Sequence, residues 1–312
     1  MTRATDFRRA FGERLQEGVP LARFTSSRTG GSADFLVEIH SAGELQETAI
    51  ALWKIGESFR VLGGGSNVLV ADEGVREVVV LNQARRARFD QAGRHPGVRA
   101  ESGASLGGLA RRAAARGFLG LEWAATVPGT VGGAVVGNAG AHGADVAKSL
   151  MTAEILQRNH RIEAWPVERL EYGYRTSWLK RHPGEAVVLM ATFRLELSTP
   201  AVARAKVEAN VEYRQATQPP GASWGSMFKN PPGDFAGRLL EAAGMKGVKV
   251  GQAEISQHHA NFFINQGGAS ASDVARLLIE SRRRVREAAG IDLELEIELV
   301  GEWPQELREA LA

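Results

Sequence analysis

The chain has 312 residues, of which 44% are hydrophobic and 24% charged, and its net charge is +2. These values are typical of a globular protein with room for two domains. The chain contains no cysteine, which excludes disulfides, thiolate nucleophiles and cysteine-ligated zinc or iron–sulfur clusters. There is neither a signal-peptide core nor an apolar run of ~20 residues, so we expect a cytoplasmic protein without membrane insertion.

The predicted elements, taken in chain order, begin with an amphipathic helix over residues 1–20, which ends at Gly18-Val19-Pro20. Apolar periodicity then predicts strands and helices in alternation up to about residue 197. The predicted strands are 33–39, 60–62, 68–70, 77–81, 153–156 and 186–197, and the predicted helices are 44–55, 106–116 and 200–217. The strand 186–197 is expected to alternate in its second half.

A segment rich in proline and glycine follows, from Gln218 to Gly233. It contains Trp224, Met227 and Phe228, which a structureless linker would not carry, so an ordered loop is predicted. Beyond it the pattern predicts two helices and two strands in an α+β arrangement of about one hundred residues. These are helix 234–243, strand 261–265, helix 271–289 and strand 293–300.

Two glycine-rich segments, Gly63-Gly64-Gly65-Ser66-Asn67 and Val127-Pro128-Gly129-Thr130-Val131-Gly132-Gly133-Ala134, stand out from this pattern. Glycine is costly to order, so such clusters predict a backbone that approaches a ligand closely or adopts positive φ. Unobstructed N–H groups can form a concavity that suits a pyrophosphate, and two such loops suggest a dinucleotide cofactor. The spacing is not that of the Rossmann fingerprint, and a single loop could equally be a tight strand connection. Ser66 and Asn67 could bind phosphate or ribose, and Asn138 could do so or cap a turn.

Further motifs follow these segments in order along the chain. They are Tyr174-Arg175-Thr176-Ser177, Gly225-Ser226-Met227-Phe228-Lys229-Asn230-Pro231, Ala260-Asn261-Phe262-Phe263-Ile264-Asn265 and Leu295-Glu296-Ile297 before Val300-Gly301. With Phe24-Thr25, Thr29-Gly30-Gly31 and Ala33-Asp34-Phe35 before them, they span about residues 21–301. Over this range the chain resembles the UDP-N-acetylenolpyruvoylglucosamine reductase (MurB) family.

The resemblance implies an α+β protein with a two-part FAD-binding domain of the vanillyl-alcohol-oxidase (PCMH) type and a smaller C-terminal substrate-binding domain. The implied limits are 1–20 for an N-terminal helical segment, 21–197 for the FAD-binding domain (lobes 21–100 and 101–197) and 198–312 for the C-terminal domain. The implied activity is reduction of enolpyruvyl-UDP-N-acetylglucosamine to UDP-N-acetylmuramate in peptidoglycan synthesis. It uses non-covalent FAD as cofactor and NADPH as co-substrate, and the resemblance favours a monomer.

The resemblance also assigns residues. Arg175 would pair with the substrate carboxylate, Ser226 would protonate the α-carbon, and Glu296 would hydrogen-bond the enolate. Tyr174, Lys229 and Asn230 would contact the substrate. The FAD-binding residues would be Gly63, Gly64, Gly65, Ser66, Asn67, Pro128, Gly129, Thr130, Gly132, Gly133, Asn138 and Gly140. Period-two alternation places Glu294, Glu296 and Glu298 on one face of the last strand, and the motif register selects Glu296.

The chain departs from the family pattern in three places. Glu298 stands where arginine is common, and His142 stands where tyrosine is common. The third departure is the segment from Gln218 to Ser226, which is short and contains an unusual Trp224. The tyrosine-bearing insertion that some members carry is also absent, which points to the shorter class. Arg214, Arg238 and Gln252 could then help to close over the nucleotide sugar.

Other interpretations remain open. His258-His259 does not predict a metal site, because adjacent histidines on a strand point to opposite faces. No pattern of interleaved basic and aromatic residues predicts a nucleic-acid partner. An FAD oxidase or dehydrogenase acting on a sugar or alcohol would account for the glycine segments, and a non-catalytic flavin- or nucleotide-sugar-binding protein would account for the departures.

Overall fold

The structure is a computed structural model that describes residues 3–91 and 96–311. The α-helices are α1 (Arg3–Phe11), α2 (Ala42–Lys54), α3 (Leu106–Ala115), α4 (Val131–Gly137), α5 (Val146–Ser149), α6 (Trp178–Arg181), α7 (Pro200–Thr217), α8 (Ala236–Ala242), α9 (Ala271–Ala289) and α10 (Gln305–Leu311). The strands up to residue 119 are β1 (Leu15–Pro20), β2 (Ser32–Ile39), β3 (Phe59–Leu62), β4 (Val68–Val70), β5 (Val75–Asn82), β6 (Ala87–Asp90), β7 (Gly97–Glu101) and β8 (Phe118–Leu119). The later strands are β9 (Gly140–Ala141), β10 (Ala144–Asp145), β11 (Leu150–Gln157), β12 (Ile162–Pro166), β13 (Ala186–Arg194), β14 (Glu196–Leu197), β15 (Ser223–Ser226), β16 (Lys249–Val250), β17 (Ala253–Ile255), β18 (Phe262–Asn265) and β19 (Glu298–Val300).

The chain forms two compact units, and each is assembled from three stretches of sequence. The first unit comprises Met1–Gln16, Leu36–Gly64 and Glu77–Arg214, and the second comprises Glu17–Phe35, Gly65–Arg76 and Gln215–Ala312. The second unit therefore combines the C-terminal third of the chain with two short pieces from its first quarter. The predicted limits 1–20, 21–197 and 198–312 are contiguous, and they stay predictions.

The first unit is built on a five-stranded antiparallel sheet in the order β12-β11-β13-β7-β6. In its central strand β13 the second to fourth residues are buried, and beyond them only Ala191 and Phe193 are, which confirms the predicted alternation in its second half. Helix α3 buries Leu106, Leu109 and Ala113 in the same core, at the spacing expected of an amphipathic helix. Strands β3 and β5 of the same unit pair in parallel, with Phe59 opposite Val78.

The second unit contains a four-stranded sheet in the order β15-β18-β17-β16, and helix α9 belongs to its core. A capping box formed by Ser270 and Asp273 begins α9, and Gly290 ends it with φ 67°. This confirms the predicted helix 271–289. Strand β19 pairs in parallel with β4, so that Glu298 lies opposite Val68.

The prediction of one helix over residues 1–20 is wrong in its second half. Helix α1 ends at Phe11, Gly12 adopts φ 57°, and Leu15–Pro20 forms strand β1. The positive φ interrupts the helix, and hydrogen bonding in a sheet then outweighs the local helical periodicity.

Two further elements differ from their predictions. The second glycine-rich segment was expected to be a loop, but from Val131 it forms helix α4. The last strand was expected over 293–300, but only Glu298–Val300 is regular, because the chain bends at Glu296 and Ile297. Burial nevertheless alternates as predicted at Leu293 and Ile297, which are buried, and at Glu298, which is exposed.

Candidate active site

The two glycine-rich segments lie against each other within the first unit. A side chain on Gly63 would collide with the Thr130 hydroxyl, and a Cβ on Gly64 would lie 3.0 Å from the Cα of Gly129. The sequence predicted a backbone that approaches a ligand closely or adopts positive φ, and binding of a ligand at these two glycines stays a prediction. The approaching group at Gly63 and Gly64 is the protein's own second segment.

The end of the first glycine-rich segment belongs to the second unit. Gly65 adopts φ 55°, a Cβ there would collide with the carbonyl oxygen of Phe24, and its own carbonyl accepts the N–H of Ser26 at 3.0 Å. Asn67 donates from Nδ2 to the backbone carbonyl of Glu296 at 3.1 Å, and its own carbonyl accepts the N–H of Glu298 at 2.9 Å. The side chain predicted to bind phosphate or ribose is thus bonded to the Glu296 segment.

The beginning of α4 presents bare backbone. Hydrogen bonds from Val131 N to Ala104 O (2.8 Å) and from Gly132 N to Ser102 O (2.7 Å) fix this turn in the first unit. Gly133 on the same turn is exposed, and a Cβ there would have as its nearest neighbour the Thr130 hydroxyl, at 3.7 Å. A ligand could therefore approach the backbone of this turn without meeting a side chain.

Asn138 ends α4 in the left-handed conformation with φ 45°. Its side chain is buried, and both ends of its amide are bonded within the first unit. Nδ2 donates to Gly173 O at 3.0 Å, and Oδ1 accepts from Ala147 N at 3.1 Å. The alternative in which Asn138 organises a turn is the one that these contacts support, and any contact with a cofactor would be left to its backbone.

Arg175 lies in the loop that Asn138 holds at Gly173. Its backbone has φ 56°, a conformation that non-glycine residues adopt only when their surroundings enforce it. Lys180 Nζ donates to its carbonyl at 3.2 Å, and Arg175 Nη2 donates to Gly140 O at 3.1 Å. The guanidinium also lies 5.3 Å from the ring centre of Tyr174, which is 54% exposed. This strained and tethered arginine is the first of the predicted catalytic groups.

Ser226 and Glu296 are brought together in the second unit. Ser226 pairs with Phe262 at the end of β15, and the chain continues from it through Met227 and Phe228. Phe228 forms an antiparallel bridge with Leu295, and the N–H of Glu296 donates to the carbonyl of Met227 at 2.9 Å. Both predicted catalytic residues are half-buried. The Ser226 hydroxyl makes no hydrogen bond to any residue in the described part of the chain, so it can donate to a ligand.

The predicted substrate residues of the second unit follow directly. Lys229 forms an ion pair with Glu294, and its N–H donates to the Glu294 carbonyl at 2.8 Å. Asn230 is exposed, and its Oδ1 accepts the N–H of Ala236 at 3.0 Å. A diphosphate at Lys229 would have to replace a carboxylate partner that is itself mostly exposed.

The departures from the family pattern also have defined neighbours. His142 is exposed, its Nε2 lies 3.3 Å from Thr126 Oγ1, and its ring meets Tyr213 edge-on at 5.6 Å between centroids. Arg214 donates to the carbonyl of Thr126. In the second unit, Arg238 pairs with Asp234 and, as the largest of several causes, lowers the pKa of that carboxyl to about 2.

Asn261 belongs to one of the motifs that carry the family resemblance, but the sequence predicted no role for it. It is 3% exposed, and its side chain bonds both backbone groups of Phe228. A polar residue inside an apolar run was the only signal in the sequence, and such a residue must find partners when buried.

The side chains of the paired histidines both contact backbone groups of the second unit. His258 Nε2 lies 2.9 Å from the carbonyl of Ala216, and His259 Nδ1 accepts the N–H of Asn261 at 3.2 Å. Over residues 3–91 and 96–311, no group of three or more metal-binding side chains is assembled. No helix in the same ranges has the length and apolar character needed to span a bilayer.

Two family models match parts of the chain. The model "FAD binding domain" matches residues 33–160, and the model "UDP-N-acetylenolpyruvoylglucosamine reductase, C-terminal domain" matches residues 215–300. The first range contains Gly63 and Thr130, and the second contains Ser226 and Glu296. These matches confirm the predicted α+β fold with an FAD-binding domain before a smaller C-terminal domain.

The residues of the first range fit FAD, the predicted cofactor. The bare first turn of α4 at Gly133 offers backbone without side-chain obstruction, and Gly137 at its end is also open, with no atom within 4 Å of a Cβ position. A diphosphate needs such unobstructed backbone groups. Arg175, which contacts Gly140, adds a cationic group to the same unit.

Curated relatives cover nearly the whole chain. The UDP-N-acetylenolpyruvoylglucosamine reductase of Chloroflexus aurantiacus is 43% identical over 90% of this chain and 96% of its own length. That of Rubrobacter xylanophilus is 45% identical over 91% and 94%. The crystal structure of the reductase (MurB) from Thermus caldophilus matches with a TM-score of 0.78 and 35% identity, over 93% of this chain and 99% of that one. The chain belongs to the UDP-N-acetylenolpyruvoylglucosamine reductase family of FAD-dependent oxidoreductases.

Proposed function

We propose that this protein reduces enolpyruvyl-UDP-N-acetylglucosamine to UDP-N-acetylmuramate with electrons from NADPH, in the synthesis of peptidoglycan. Family membership supports the reaction. The observation that carries its assignment to residues is the pairing of the Ser226 and Glu296 segments, in which Glu296 N donates to Met227 O at 2.9 Å. A hydroxyl group that makes no hydrogen bond among the described residues and a carboxyl group thus lie on adjacent segments of one unit.

When bound, FAD would supply the redox chemistry, which is transfer of hydride between NADPH and the enolpyruvyl β-carbon. Addition of hydride there places negative charge on the α-carbon and its carboxylate. We assign Arg175 to that carboxylate, because a guanidinium forms two parallel hydrogen bonds with it and stabilises the developing charge. The enforced backbone conformation of Arg175 supports this assignment, since strain of this kind collects at functional positions.

Ser226 is the acid in this proposal. Its hydroxyl donates a proton to the α-carbon, which completes saturation of the double bond and leaves an alkoxide that solvent must reprotonate. An alcohol is a weak acid, so the transfer requires a basic enolate and a fixed donor. The Ser226 hydroxyl meets the second requirement, because it stands on a paired strand end and makes no hydrogen bond within the described chain. Glu296 donates a hydrogen bond to the enolate.

Tyr174, Lys229 and Asn230 are proposed to contact the nucleotide sugar. The ion pair of Lys229 with Glu294 supports a role in which Lys229 exchanges this carboxylate for a substrate phosphate. Because the Glu294 side chain is 72% exposed, breaking the pair costs little free energy. The use of NADPH and the monomeric state rest on the resemblance, the cytoplasmic location rests on the sequence pattern, and all three stay predictions.

The test separates the two half-reactions under anaerobic conditions. Absorbance near 450 nm is followed after mixing the protein with NADPH and then, in a second mixing, with the enolpyruvyl substrate. We expect bleaching by NADPH and recovery only with the substrate. For Ser226→Ala we expect the recovery rate to fall by ~10²–10⁴, the usual contribution of a general acid, with the bleaching rate unchanged.

The same experiment distinguishes the other interpretations. Recovery of absorbance with oxygen but not with the enolpyruvyl substrate would make the protein an oxidase. A flavin that NADPH does not bleach would make it a binding protein. If Ser226→Ala lowered the rates of both half-reactions equally, Ser226 would not be the acid. The proposed overall reaction would not be contradicted by that result.

A further inference from the structure

Asn261 makes an unusual set of contacts in the second unit. Its Oδ1 accepts the N–H of Phe228 at 2.9 Å, and its Nδ2 donates to the carbonyl of the same residue at 2.8 Å. Its own backbone carbonyl accepts the N–H of Met227 at 2.9 Å. Three hydrogen bonds thus join Asn261 to the two residues that follow Ser226.

These contacts extend a sheet that would otherwise stop. Strands β15 and β18 pair up to Ser226 and Phe262, the backbone carbonyl of Asn261 then bonds Met227, and its side chain extends the pairing to Phe228. An asparagine side chain is a primary amide, so it offers a donor and an acceptor much as a backbone peptide group does. Aspartate would offer two acceptors and repel the Phe228 carbonyl, and leucine would leave two buried backbone groups unpaired.

The opposite side of the same segment pairs with the glutamate. Lys229 N donates to Glu294 O at 2.8 Å, and Glu296 N donates to Met227 O at 2.9 Å. The segment 226–229 is therefore held between Asn261 on one side and residues 294–296 on the other. Asn67 holds the far side of the glutamate through its bond to Glu296 O.

We propose that Asn261 is a positioning residue. By holding both backbone groups of Phe228, it fixes the position of Ser226 relative to Glu296. The inference rests on the proposed roles of Ser226 and Glu296. It adds that the protonation step depends on a buried amide that contacts neither substrate nor cofactor. Because the clamp acts on residues 226–229 and 294–296 alone, reduction of the flavin by NADPH is independent of it.

The test is Asn261→Asp in the FAD-loaded protein, with both half-reactions measured. The substitution changes almost no volume, keeps the acceptor for Phe228 N and removes the donor to Phe228 O. We expect reoxidation by the enolpyruvyl substrate to slow by ~10²-fold, the cost of a displacement of about 1 Å, with bleaching by NADPH within about twofold of the wild type. An unchanged reoxidation rate, or equal losses in both steps, would overturn the proposal.

Asn265→Asp is the matched control. Asn265 is the last residue of strand β18, which begins directly after Asn261, and its amide makes four hydrogen bonds in the second unit, to Ser27 O, Thr29 Oγ1, Gly267 N and Ala269 N. None of these partners carries a proposed catalytic group. The control should lose stability like Asn261→Asp but retain the reoxidation rate. If it slows reoxidation equally, Asn261 has only a structural role and the inference fails.

The double variant Asn261→Asp with Ser226→Ala separates this inference from the proposed function. If Asn261 acts through Ser226, the double variant should reoxidise no more slowly than Ser226→Ala alone. Additive losses would overturn the positioning role. Normal reoxidation in Ser226→Ala alone would instead refute the acid assignment, whatever Asn261→Asp does.

A second variant keeps the test valid if Asn261→Asp does not fold. Asn261→Gln retains an amide with both donor and acceptor, so the buried groups of Phe228 can stay paired. Its extra methylene displaces the clamp. We expect this variant to bind FAD and to reoxidise ~10-fold or more slowly, because alignment at the reacting atoms is lost. Wild-type reoxidation in a folded Asn261→Gln would contradict the proposal.

Discussion

The loop of Arg175 and the segment of Ser226 present proposed catalytic groups in two different ways. Arg175 has a left-handed backbone, with φ 56°, which is held by side chains that reach across to carbonyl groups. Ser226 stands at the end of a strand whose pairing continues through the amide of Asn261. The first arrangement stores strain and needs tethers, whereas the second extends a regular ladder.

The difference indicates what each group has to do. A guanidinium that binds a carboxylate can tolerate small shifts, because its charge acts over several ångströms. A hydroxyl that transfers a proton must lie within hydrogen-bonding distance of one carbon atom. The position of the proton donor in the more regularly paired segment agrees with this stricter requirement on distance.

After Ser226→Ala, Arg175→Lys should have the largest effect on turnover. Lysine keeps the charge but loses the planar fork that binds a carboxylate with two hydrogen bonds, so we expect kcat to fall by ~10²–10³. Steady-state kinetics with the enolpyruvyl substrate measure this. Arg181→Lys is the control, since Arg181 forms a mostly exposed ion pair with Glu171 a few residues away. Similar losses in both variants would mean that the loop, and not the guanidinium, is affected.

Glu296→Gln should come next, with kcat lowered by ~10²-fold and binding of the substrate largely retained. The change leaves the backbone bonds of Glu296 to Met227 and Asn67 in place, so it tests the carboxyl group alone. Glu298→Gln is the control, because Glu298 is exposed two residues further on and should be within about twofold of the wild type. If Glu298→Gln loses turnover and Glu296→Gln does not, the motif register has been assigned to the wrong carboxylate.

Asn138→Asp should have a smaller effect, mainly on stability. It keeps the acceptor for Ala147 N, tolerates the left-handed conformation and loses the donor to Gly173 O, which should cost about 1–3 kcal/mol in urea unfolding. Because Gly173 precedes Arg175 by two residues, KM for the substrate should rise as well. Asn210→Asp loses a comparable bond, from Nδ2 to Glu122 O at 3.0 Å, and should be destabilised without a change in KM. Equal KM values in the two variants would mean that Asn138 does not support Arg175.

His259→Asn should have the smallest effect, visible only in the pH dependence of stability. Burial is the main cause that places the pKa of His259 below 6.5, and the imidazole Nδ1 must be unprotonated to accept Asn261 N–H. Below pH 6.5 the unfolded chain therefore binds more protons at this residue, and the free energy of unfolding falls as the pH drops. Asparagine keeps an acceptor but does not titrate.

Urea unfolding between pH 5 and pH 8 tests this. The variant should lose less stability than the wild type on the acid side, with a constant offset between the two near pH 8. Parallel curves over the whole range would contradict the assignment.

Much of the fold could be read from local patterns. Helices α3, α7 and α9 begin and end within about a residue of their predicted limits, because caps and apolar periodicity are local properties. Strand β1 was missed because sheet pairing with distant residues decides it. The bend at Glu296 was missed for a similar reason, since the side chain and backbone of Asn67 hold that segment from a remote part of the chain.

The sequence by itself determined the family, the glycine-rich segments and the residue types available for catalysis. It did so because motifs of charged, hydroxyl and glycine residues survive as short local patterns. Only the tertiary structure decided what those residues touch. Gly63 and Gly64 make room for Thr130 and Gly129, Asn67 bonds to Glu296, and Asn261 extends the pairing beside Ser226. Such contacts depend on which distant segments meet in the fold. The residues in these hydrogen bonds are some thirty to more than two hundred positions apart, so no local sequence pattern predicts them.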